Sequence, residues 1–223
     1  SEVLSNASNY TATLTCSGSA TPLSGNTVTI DAADTAITCT QTNTRKQATL
    51  TLVKTWVDAL SGETATVTSS GFSNTASSGL STSTGNNTTT GSSVAVFAGE
   101  SGTISEVLSN AGNYTATLAC SGNATPLSGN TLTINAADTA ITCTQTNTRK
   151  QATLTLVKTW VNGLNGDTAT VTSSGFANNA STGLSTSTGN NTTTGSSVAV
   201  FAGESGTISE VLSNAGNYTA TLA

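Results

Sequence analysis

The sequence predicts an all-β protein made of tandem antiparallel β-sandwich domains of 104 residues that follow one another end to end. The first observation is a long internal repeat. Residues 1–104 and 105–208 differ at only 12 positions, and residues 209–223 repeat 105–119 without change. A period of this length is a whole domain rather than one turn of a solenoid. The second observation is that β-branched runs bounded by Gly, Asn and Ser recur throughout, whereas helix signals are nearly absent.

One complete repeat contains eight runs with the character of strands. We predict strands at 48–57, 64–70, 79–84, 93–98, 102–108, 114–120, 131–134 and 139–147. Turn clusters rich in Gly, Asn and Ser separate them. The polar segment 73–93 is predicted to form a hairpin that turns at Asn86 and Asn87. Several short strands spaced by such turns are typical of an antiparallel β-sandwich.

Basic residues mark the predicted domain boundaries. They cluster only at Arg45–Lys46 and Arg149–Lys150, where neither Pro nor Gly is present, so we expect joints stiffer than a Gly/Ser linker. A strand-swapped arrangement, in which the strand after Lys46 completes the preceding domain, remains open. Because the sequence begins and ends inside a repeat, we expect it to belong to a longer array. The predicted division is a C-terminal part of one repeat at 1–46, a complete domain at 47–149 and an N-terminal part of the next repeat at 150–223.

Composition argues against several classes of function. The chain has only six Lys and Arg residues and a net charge of −5, so nucleic acid and anionic membranes are poor partners. No apolar run approaches the roughly 18 residues needed to cross a bilayer. There is no His, no Gly-rich phosphate loop and no nucleophile motif, and the eleven acidic residues form no calcium motif. We therefore expect no enzymatic activity, no cofactor and no metal.

The four cysteines form two equivalent pairs. Cys16 and Cys39 are 23 residues apart, as are Cys120 and Cys143. One pair per repeat at fixed spacing predicts a disulfide in each and an oxidising, extracellular compartment. A zinc site is a weaker alternative, because two Cys residues without His cannot complete a zinc shell.

Three polar residues fall on otherwise apolar strand faces. Side chains two apart share a face of a strand, so Lys54, Glu106 and Asn147 should point inward with their apolar neighbours. The first interpretation is a buried Lys54–Glu106 ion pair with Asn147 as a hydrogen-bonding cap. The second is that residues at strand ends reach solvent. The third is an autocatalytic isopeptide bond, in which burial lowers the lysine pKa, the neutral amine attacks the asparagine and the glutamate moves protons.

A family resemblance runs through the same residues. The order of short motifs resembles the prealbumin-like domains of bacterial surface proteins, namely the collagen-adhesin B-type repeats and the related pilin domains. These motifs are Lys54-Thr55-Trp56, Thr103-Ile104-Ser105-Glu106, Tyr114-Thr115-Ala116-Thr117-Leu118 and Thr144-Gln145-Thr146-Asn147-Thr148.

The resemblance implies a transthyretin-like or immunoglobulin-like sandwich that serves as a stalk or pilus module. In that family a first-strand lysine bonds to a last-strand asparagine beside a glutamate. Those roles would fall on Lys54, Asn147 and Glu106. The chain departs from the family pattern in its cysteine pair and its low content of charged residues.

Two functional hypotheses follow. The first is a structural extracellular module that forms a stiff stalk or filament of a bacterial surface adhesin or biofilm-matrix protein, with neighbouring copies of the repeat as lateral or head-to-tail partners. The second is a binding module for carbohydrate, ice or another surface, suggested by the alternation of Thr64, Thr66 and Thr68. A flat outward array of Thr on one sheet would favour the second. Most differences between the copies lie in predicted turns, which suits a surface without chemistry.

Overall fold

The computed structural model describes residues 2–222 and is all-β, as predicted. Short 3₁₀ helices occur at Ala7–Asn9, Ala111–Asn113 and Ala215–Asn217. The strands are β1 Tyr10–Ser17, β2 Thr38–Arg45, β3 Gln47–Val57, β4 Thr64–Ser70, β5 Ser81–Thr82, β6 Asn87–Thr90, β7 Val94–Phe97, β8 Ser101–Leu108, β9 Tyr114–Ser121, β10 Thr131–Thr133, β11 Ala140–Arg149, β12 Gln151–Leu154, β13 Val157–Trp160, β14 Thr168–Ser174, β15 Ser185–Thr186, β16 Asn191–Thr194, β17 Val198–Phe201 and β18 Thr207–Leu212.

The chain forms two compact units. Unit 1 comprises Ser1–Ser109 and Ala116–Asn147, and unit 2 comprises Asn110–Thr115 and Thr148–Ala223. The predicted division into 1–46, 47–149 and 150–223 stays a prediction. Among residues 2–222, no helix has both the length and the apolar character to cross a bilayer.

Two sheets enclose the core of unit 1 in a β-sandwich-like arrangement. One sheet has the order β6-β3-β11-β9, with β7 also paired to β3, and the other has the order β10-β8-β4-β5. Inward residues alternate with outward threonines, as in β4, where Ala65 and Val67 are buried and Thr66 and Thr68 are partly exposed. The buried apolar core consists of Ala48, Leu50, Leu52, Val67, Ala76, Val96, Ile104, Leu132, Ile134, Ile141 and Cys143.

The predicted polar hairpin at 73–93 is wrong. β5 pairs with β4, whereas β6 pairs with β3 in the other sheet, so this segment crosses between the sheets. Side-chain hydrogen bonds hold the crossing, since Asn87 Oδ1 accepts from Thr84 N at 2.9 Å and Asn87 Nδ2 donates to Thr82 O at 3.0 Å. The segment then reaches Gly91, where a Cβ would lie 1.8 Å from Ser77 O, so only glycine fits.

The remaining strands form simpler pairings. Within unit 1, β1 and β2 make a two-stranded antiparallel ladder in which Cys16 lies opposite Cys39. Within unit 2, β12 pairs with β17, β13 pairs with β16, and β15-β14-β18 form a three-stranded sheet. Single residues, Lys46 and Lys150, separate β2 from β3 and β11 from β12.

Candidate functional site

Lys54, Glu106 and Asn147 meet inside unit 1. β3 carries Lys54 and its neighbour β11 carries Asn147, while β8 of the other sheet carries Glu106. Lys54 Nζ lies 3.5 Å from Glu106 Oε1, and Asn147 Nδ2 donates to the same oxygen at 2.9 Å. Lys54 and Asn147 are both 0% exposed, so the interpretation in which the lysine reaches solvent is wrong.

Burial controls the chemistry of Lys54. Its Nζ also donates to Thr55 O at 2.8 Å and lies 4.1 Å from the centroid of the Trp56 ring, a cation–π contact. Desolvation by burial lowers the lysine pKa below its ordinary value, and the nearby Glu106 carboxylate offsets this only in part. A lowered pKa enlarges the fraction of neutral amine, which is the nucleophilic form.

The Asn147 amide is only half satisfied. Its Oδ1 is buried and has no hydrogen-bond partner among the described residues. A buried acceptor without a partner costs about 1–3 kcal/mol. The cluster therefore combines a desolvated amine, a carboxylate that contacts both amine and amide, and an amide carbonyl without a partner. In the structure the cluster is an ion pair with a hydrogen-bonded asparagine. An amine, a carboxylate and a carboxamide are also the three groups that formation of an isopeptide bond requires.

Two incomplete copies of the cluster flank the complete one. In the N-terminal segment of unit 1, Asn43 Nδ2 donates to Glu2 Oε1 at 2.5 Å. In unit 2, Lys158 Nζ lies 2.6 Å from Glu210 Oε1 and 4.5 Å from the centroid of the Trp160 ring. Each pairing recurs where its strands are present, so the contacts are a property of the repeat.

Both predicted disulfides are present. Cys16 is bonded to Cys39, and Cys120 is bonded to Cys143. Cys143 is buried in the core of unit 1, whereas Cys39 on the β1–β2 ladder is exposed. Each bond joins cysteines 23 residues apart, which stabilises a fold by about 3 kcal/mol in the chain-entropy model.

A cluster of contacts centred on Arg45, at a predicted domain boundary and here called the Arg45 joint, lies within unit 1 and was not predicted as a site. Arg45 Nε donates to Ala98 O at 2.8 Å, and its Nη1 lies 3.6 Å from Glu100 Oε1. The guanidinium carbon lies 5.7 Å from the centroid of the Phe97 ring. The sequence predicted Arg45 only as part of a domain boundary. The sequence did contain a signal for these contacts, because each Arg (Arg45 and Arg149) is followed at the same spacing by a Phe-Ala-Gly-Glu motif, at 97–100 and 201–204.

The backbone reinforces this joint. Lys46 N donates to Asn9 O at 2.8 Å, and Ala98 N donates to Lys46 O at 3.0 Å. Gly99 has φ +86°, and a Cβ there would lie 2.7 Å from the side-chain nitrogen of Asn9. The positive φ favours glycine at this turn, whereas the Asn9 side chain could move aside for a larger residue.

The same joint recurs within unit 2. Arg149 Nε donates to Ala202 O at 2.7 Å, its Nη1 lies 3.7 Å from Glu204 Oε1, and its guanidinium carbon lies 5.6 Å from the centroid of the Phe201 ring. Lys150 N donates to Asn113 O at 2.8 Å, and Ala202 N donates to Lys150 O at 2.9 Å. The contacts around Arg149 match those around Arg45 in kind and in distance, as their shared sequence leads us to expect.

Glu100 is held in its charged form. Burial by itself would raise the pKa of this carboxyl. Hydrogen bonds from the Ser73 side chain and from the backbone N–H groups of Phe97 and Ser73, together with Arg45, outweigh burial and hold the pKa below its ordinary value. The carboxylate therefore remains available to Arg45 in mildly acidic surroundings.

An array of hydroxyl groups covers the outer face of the four-stranded sheet. Thr68 Oγ1 and Ser105 Oγ are 3.4 Å apart, and Ser70 Oγ and Thr103 Oγ1 are 2.9 Å apart. Ser101 Oγ extends the array to Thr133 Oγ1 at 3.3 Å. These cross-strand pairs leave an outer face rich in hydroxyls and free of charge at the named positions.

Among residues 2–222, no group of three or more His, Cys, Asp or Glu side chains is placed to hold a metal ion. In comparisons with known proteins, no family model, no curated protein and no solved structure matches the chain. A functional proposal for the chain therefore rests on its sequence and on the geometry described above.

Proposed function

We propose that the chain is a structural extracellular tandem-repeat module that forms a stiff stalk or filament of a bacterial surface adhesin or biofilm-matrix protein. The observation that carries this proposal is the Arg45 joint and its recurrence at Arg149. Repeats that contact their neighbours through one fixed set of contacts can build a long structure with a defined direction. The disulfides fit an oxidising compartment outside the cell.

The joint opposes bending in three ways. Only Lys46 separates β2 from β3, and backbone hydrogen bonds engage both its N–H and its C=O. The Arg45 guanidinium adds a hydrogen bond to the Ala98 carbonyl and an ion pair to Glu100. A flexible Gly/Ser linker has none of these restraints.

Spin-label distance measurements test the joint directly. Nitroxides on noncanonical residues at the exposed positions 13 and 90 report the geometry between β1 and β6 without disturbing the disulfides. We expect a single narrow distance distribution that broadens in the Arg45→Ala variant. An equally broad distribution in both proteins would contradict a stiff stalk.

The Lys54–Glu106–Asn147 cluster suits an internal staple. The repeat begins with β3 and ends with β11, so a bond between Lys54 and Asn147 would carry tension directly from entry to exit. Lys54 Nζ would attack Asn147 Cγ, the bond from Cγ to Nδ2 would break, Glu106 would pass the proton to the leaving nitrogen, and ammonia would depart. The resemblance to prealbumin-like surface domains supports this reaction, and it needs no cofactor.

Intact mass measured without reductant tests the staple. The 223-residue chain contains one complete cluster, so we expect its mass to be lower by one ammonia, in addition to the four hydrogens lost in two disulfides. The Asn147→Ala variant should lack the ammonia loss and keep the loss of hydrogens. A chain with its full complement of ammonia would reduce the cluster to an ion pair.

A second candidate function rests on the hydroxyl array of the outer sheet. This face suits a binding module for carbohydrate, ice or another surface, because closely spaced hydroxyls can bond to ordered polar groups. Replacing Thr68 and Thr103 with Lys should abolish glycan or ice binding and leave the fold intact, since both side chains point outward. Absence of binding by the unaltered chain in glycan-array and ice-recrystallisation assays would exclude carbohydrate and ice as its ligands.

A further inference from the structure

The basic residues of the chain occur in only two kinds of environment. The chain has six Lys and Arg residues, and four of them form the pairs Arg45–Lys46 and Arg149–Lys150 at the two joints. The other two, Lys54 and Lys158, lie beside glutamates within the units, and their side chains are 0% and 14% exposed. A protease that cuts after Lys or Arg therefore finds its candidate sites at the joints.

The folded joint protects the peptide bonds that such a protease would cut. Lys46 N donates to Asn9 O at 2.8 Å, and Lys46 O accepts from Ala98 N at 3.0 Å. Gln47, the next residue, is paired with Phe97 in the β3–β7 ladder. A protease needs the residues around the cut bond to be free of such hydrogen bonds, so the folded joint is a poor substrate.

The folded joint also occupies the side chain that the protease would recognise. A protease that cuts after Lys or Arg binds the cationic side chain in its specificity pocket. The Arg45 guanidinium instead donates to the Ala98 carbonyl and lies 3.6 Å from the Glu100 carboxylate. Arg149 makes the equivalent contacts, with Glu204 as its carboxylate. Separation of the arginine from its turn would therefore free the backbone and the side chain together.

The covalent links of the chain lie between the joints rather than across them. The disulfide Cys16–Cys39 precedes Arg45, and the disulfide Cys120–Cys143 lies between the two joints. The proposed bond between Lys54 and Asn147 would lie between the joints as well. Cleavage at a joint therefore divides the chain into segments whose own cross-links stay intact.

We propose that each joint is a latent cleavage site for a protease that cuts after Lys or Arg. Local opening of the joint, without unfolding of either unit, exposes the site. The protease then adds water across the peptide bond after Arg45 or Lys46, and the products are a new carboxylate and a new amine. Cleavage at both joints releases one internally cross-linked repeat.

Digestion of the full 223-residue chain with trypsin tests the proposal. Mass spectrometry under denaturing, non-reducing conditions identifies the fragments, and a free peptide with the sequence of residues 41–51 gives the rate for an open site. We expect the first cuts in the folded chain to follow the four joint residues. Cleavage after Arg45 or Lys46 should be at least about 100-fold slower than in the peptide, which corresponds to a joint that is open about 1% of the time or less.

Two variants open one joint each. Glu100→Gln removes the ion pair of the Arg45 joint and should speed cleavage there by about 2- to 5-fold, with no change at the Arg149 joint. Glu204→Gln should have the reverse effect. Asp58→Asn is the matched control, because it also removes one negative charge and Asn162 already occupies the equivalent position. Its cleavage rates at both joints should equal those of the unaltered chain.

A second protease separates opening of the joint from unfolding of a unit. Trp56 is 1% exposed in β3, so a protease that cuts after aromatic residues reaches it only when unit 1 unfolds. Glu100→Gln should leave the rate of cleavage after Trp56 unchanged.

Four results would each overturn the proposal. They are cleavage of the folded joints as fast as of the free peptide, first cuts after Lys54 or Lys158, no acceleration in either glutamine variant, and equal acceleration after Trp56 or in Asp58→Asn. The proposal goes beyond the stalk function and is tested separately from it. Slow cleavage at the joints together with a broad spin-label distance distribution would reject the stiff stalk and keep the latent site.

Discussion

Both units contain the equivalent lysine–glutamate pair, Lys54–Glu106 and Lys158–Glu210. The two pairs differ in burial and in the distance between the charged groups, and a neighbouring strand is present only in unit 1 among the described residues. In unit 1, β11 lies beside β3, Lys54 is 0% exposed, and the Lys–Glu distance is 3.5 Å. In unit 2, where the described residues include no such strand, the Lys158 side chain is 14% exposed and the distance is 2.6 Å. The strand that carries the asparagine therefore buries the pair and also loosens it.

The cause is competition for one oxygen. Asn147 Nδ2 donates to the same Glu106 Oε1 that Lys54 faces, and Lys54 Nζ turns to the Thr55 carbonyl as well. A looser, desolvated pair is a poorer ion pair and a better starting point for amide chemistry, because the amine loses part of the charge stabilisation it needs. The pair beside the last strand is therefore the more buried and the less closely paired of the two.

The largest expected effect comes from removing the glutamate of each unit in turn. Glu106→Ala leaves Lys54 buried without a carboxylate and should destabilise unit 1 by about 3 kcal/mol, because an unpaired buried charge is costly. Glu210→Ala should cost unit 2 less than about 1 kcal/mol, because Lys158 can reach water. Hydrogen exchange under increasing urea measures both, using peptides that contain Asp58 or Asn162 to tell the two copies apart.

The isosteric variant separates charge from shape. Glu106→Gln keeps the hydrogen bond to Asn147 and should lose most of the stability that Glu106→Ala loses. Equal costs at Glu106 and Glu210 would contradict the view that the added strand sets the state of the pair.

The disulfides provide the next comparison. Cys120→Ala with Cys143→Ala should lower the stability of unit 1 by up to about 3 kcal/mol, because the unfolded chain regains the entropy that the disulfide removes. Cys16→Ala with Cys39→Ala should leave the main thermal transition nearly unchanged, because that ladder lies outside the buried core. Its effect should appear instead as faster hydrogen exchange in β1 and β2. Equal shifts of the main transition in the two double variants would show that the ladder is part of the cooperative core.

The two joints differ in burial and should differ in strength. The Arg149 side chain is 5% exposed and the Arg45 side chain is 36% exposed, although both make the same contacts. Arg149→Ala should therefore cost about 2 kcal/mol, and Arg45→Ala less than about 1 kcal/mol. Hydrogen exchange at the Ala202 and Ala98 amides measures each joint locally. The reverse order would mean that the ion pairs contribute little and that the backbone hydrogen bonds hold the joints.

Local patterns were sufficient to predict most of the strands and the inward direction of Lys54, Glu106 and Asn147. Period-two alternation located β3, β4 and β8 to within one residue at each end. It also predicted that Lys54 and Glu106 point inward, because residues two apart in a strand lie on the same face and their neighbours on that face are apolar. The cysteine pairing followed from spacing alone. These features depend on short stretches of sequence, which is why they could be predicted.

Features that depend on distant partners were missed. Residues 73–93 look alike on both sides of Asn86, so nothing local shows that β5 and β6 belong to different sheets. Arg45 meets Ala98 and Glu100 more than fifty residues later, and no local pattern connects them. The hydroxyl array was suggested by the Thr alternation, but its cross-strand pairs depend on the register between β4 and β8.

The smallest expected effect concerns a natural difference between the copies, Ser78 in the first and Thr182 in the second. Ser78 Oγ accepts from Val67 N at 3.0 Å and donates to Gly79 O at 2.8 Å. Thr182 Oγ1 makes the equivalent bonds to Val171 N at 3.0 Å and to Gly183 O at 2.9 Å. Ser78→Thr should therefore change stability by less than about 0.5 kcal/mol in urea unfolding, whereas Ser78→Ala should cost about 1 kcal/mol because a buried N–H loses its partner. If the two variants behaved alike, the hydroxyl would be dispensable. If only Ser78→Ala loses stability, the difference between the copies retains a hydrogen bond, and this position is constrained rather than free to drift.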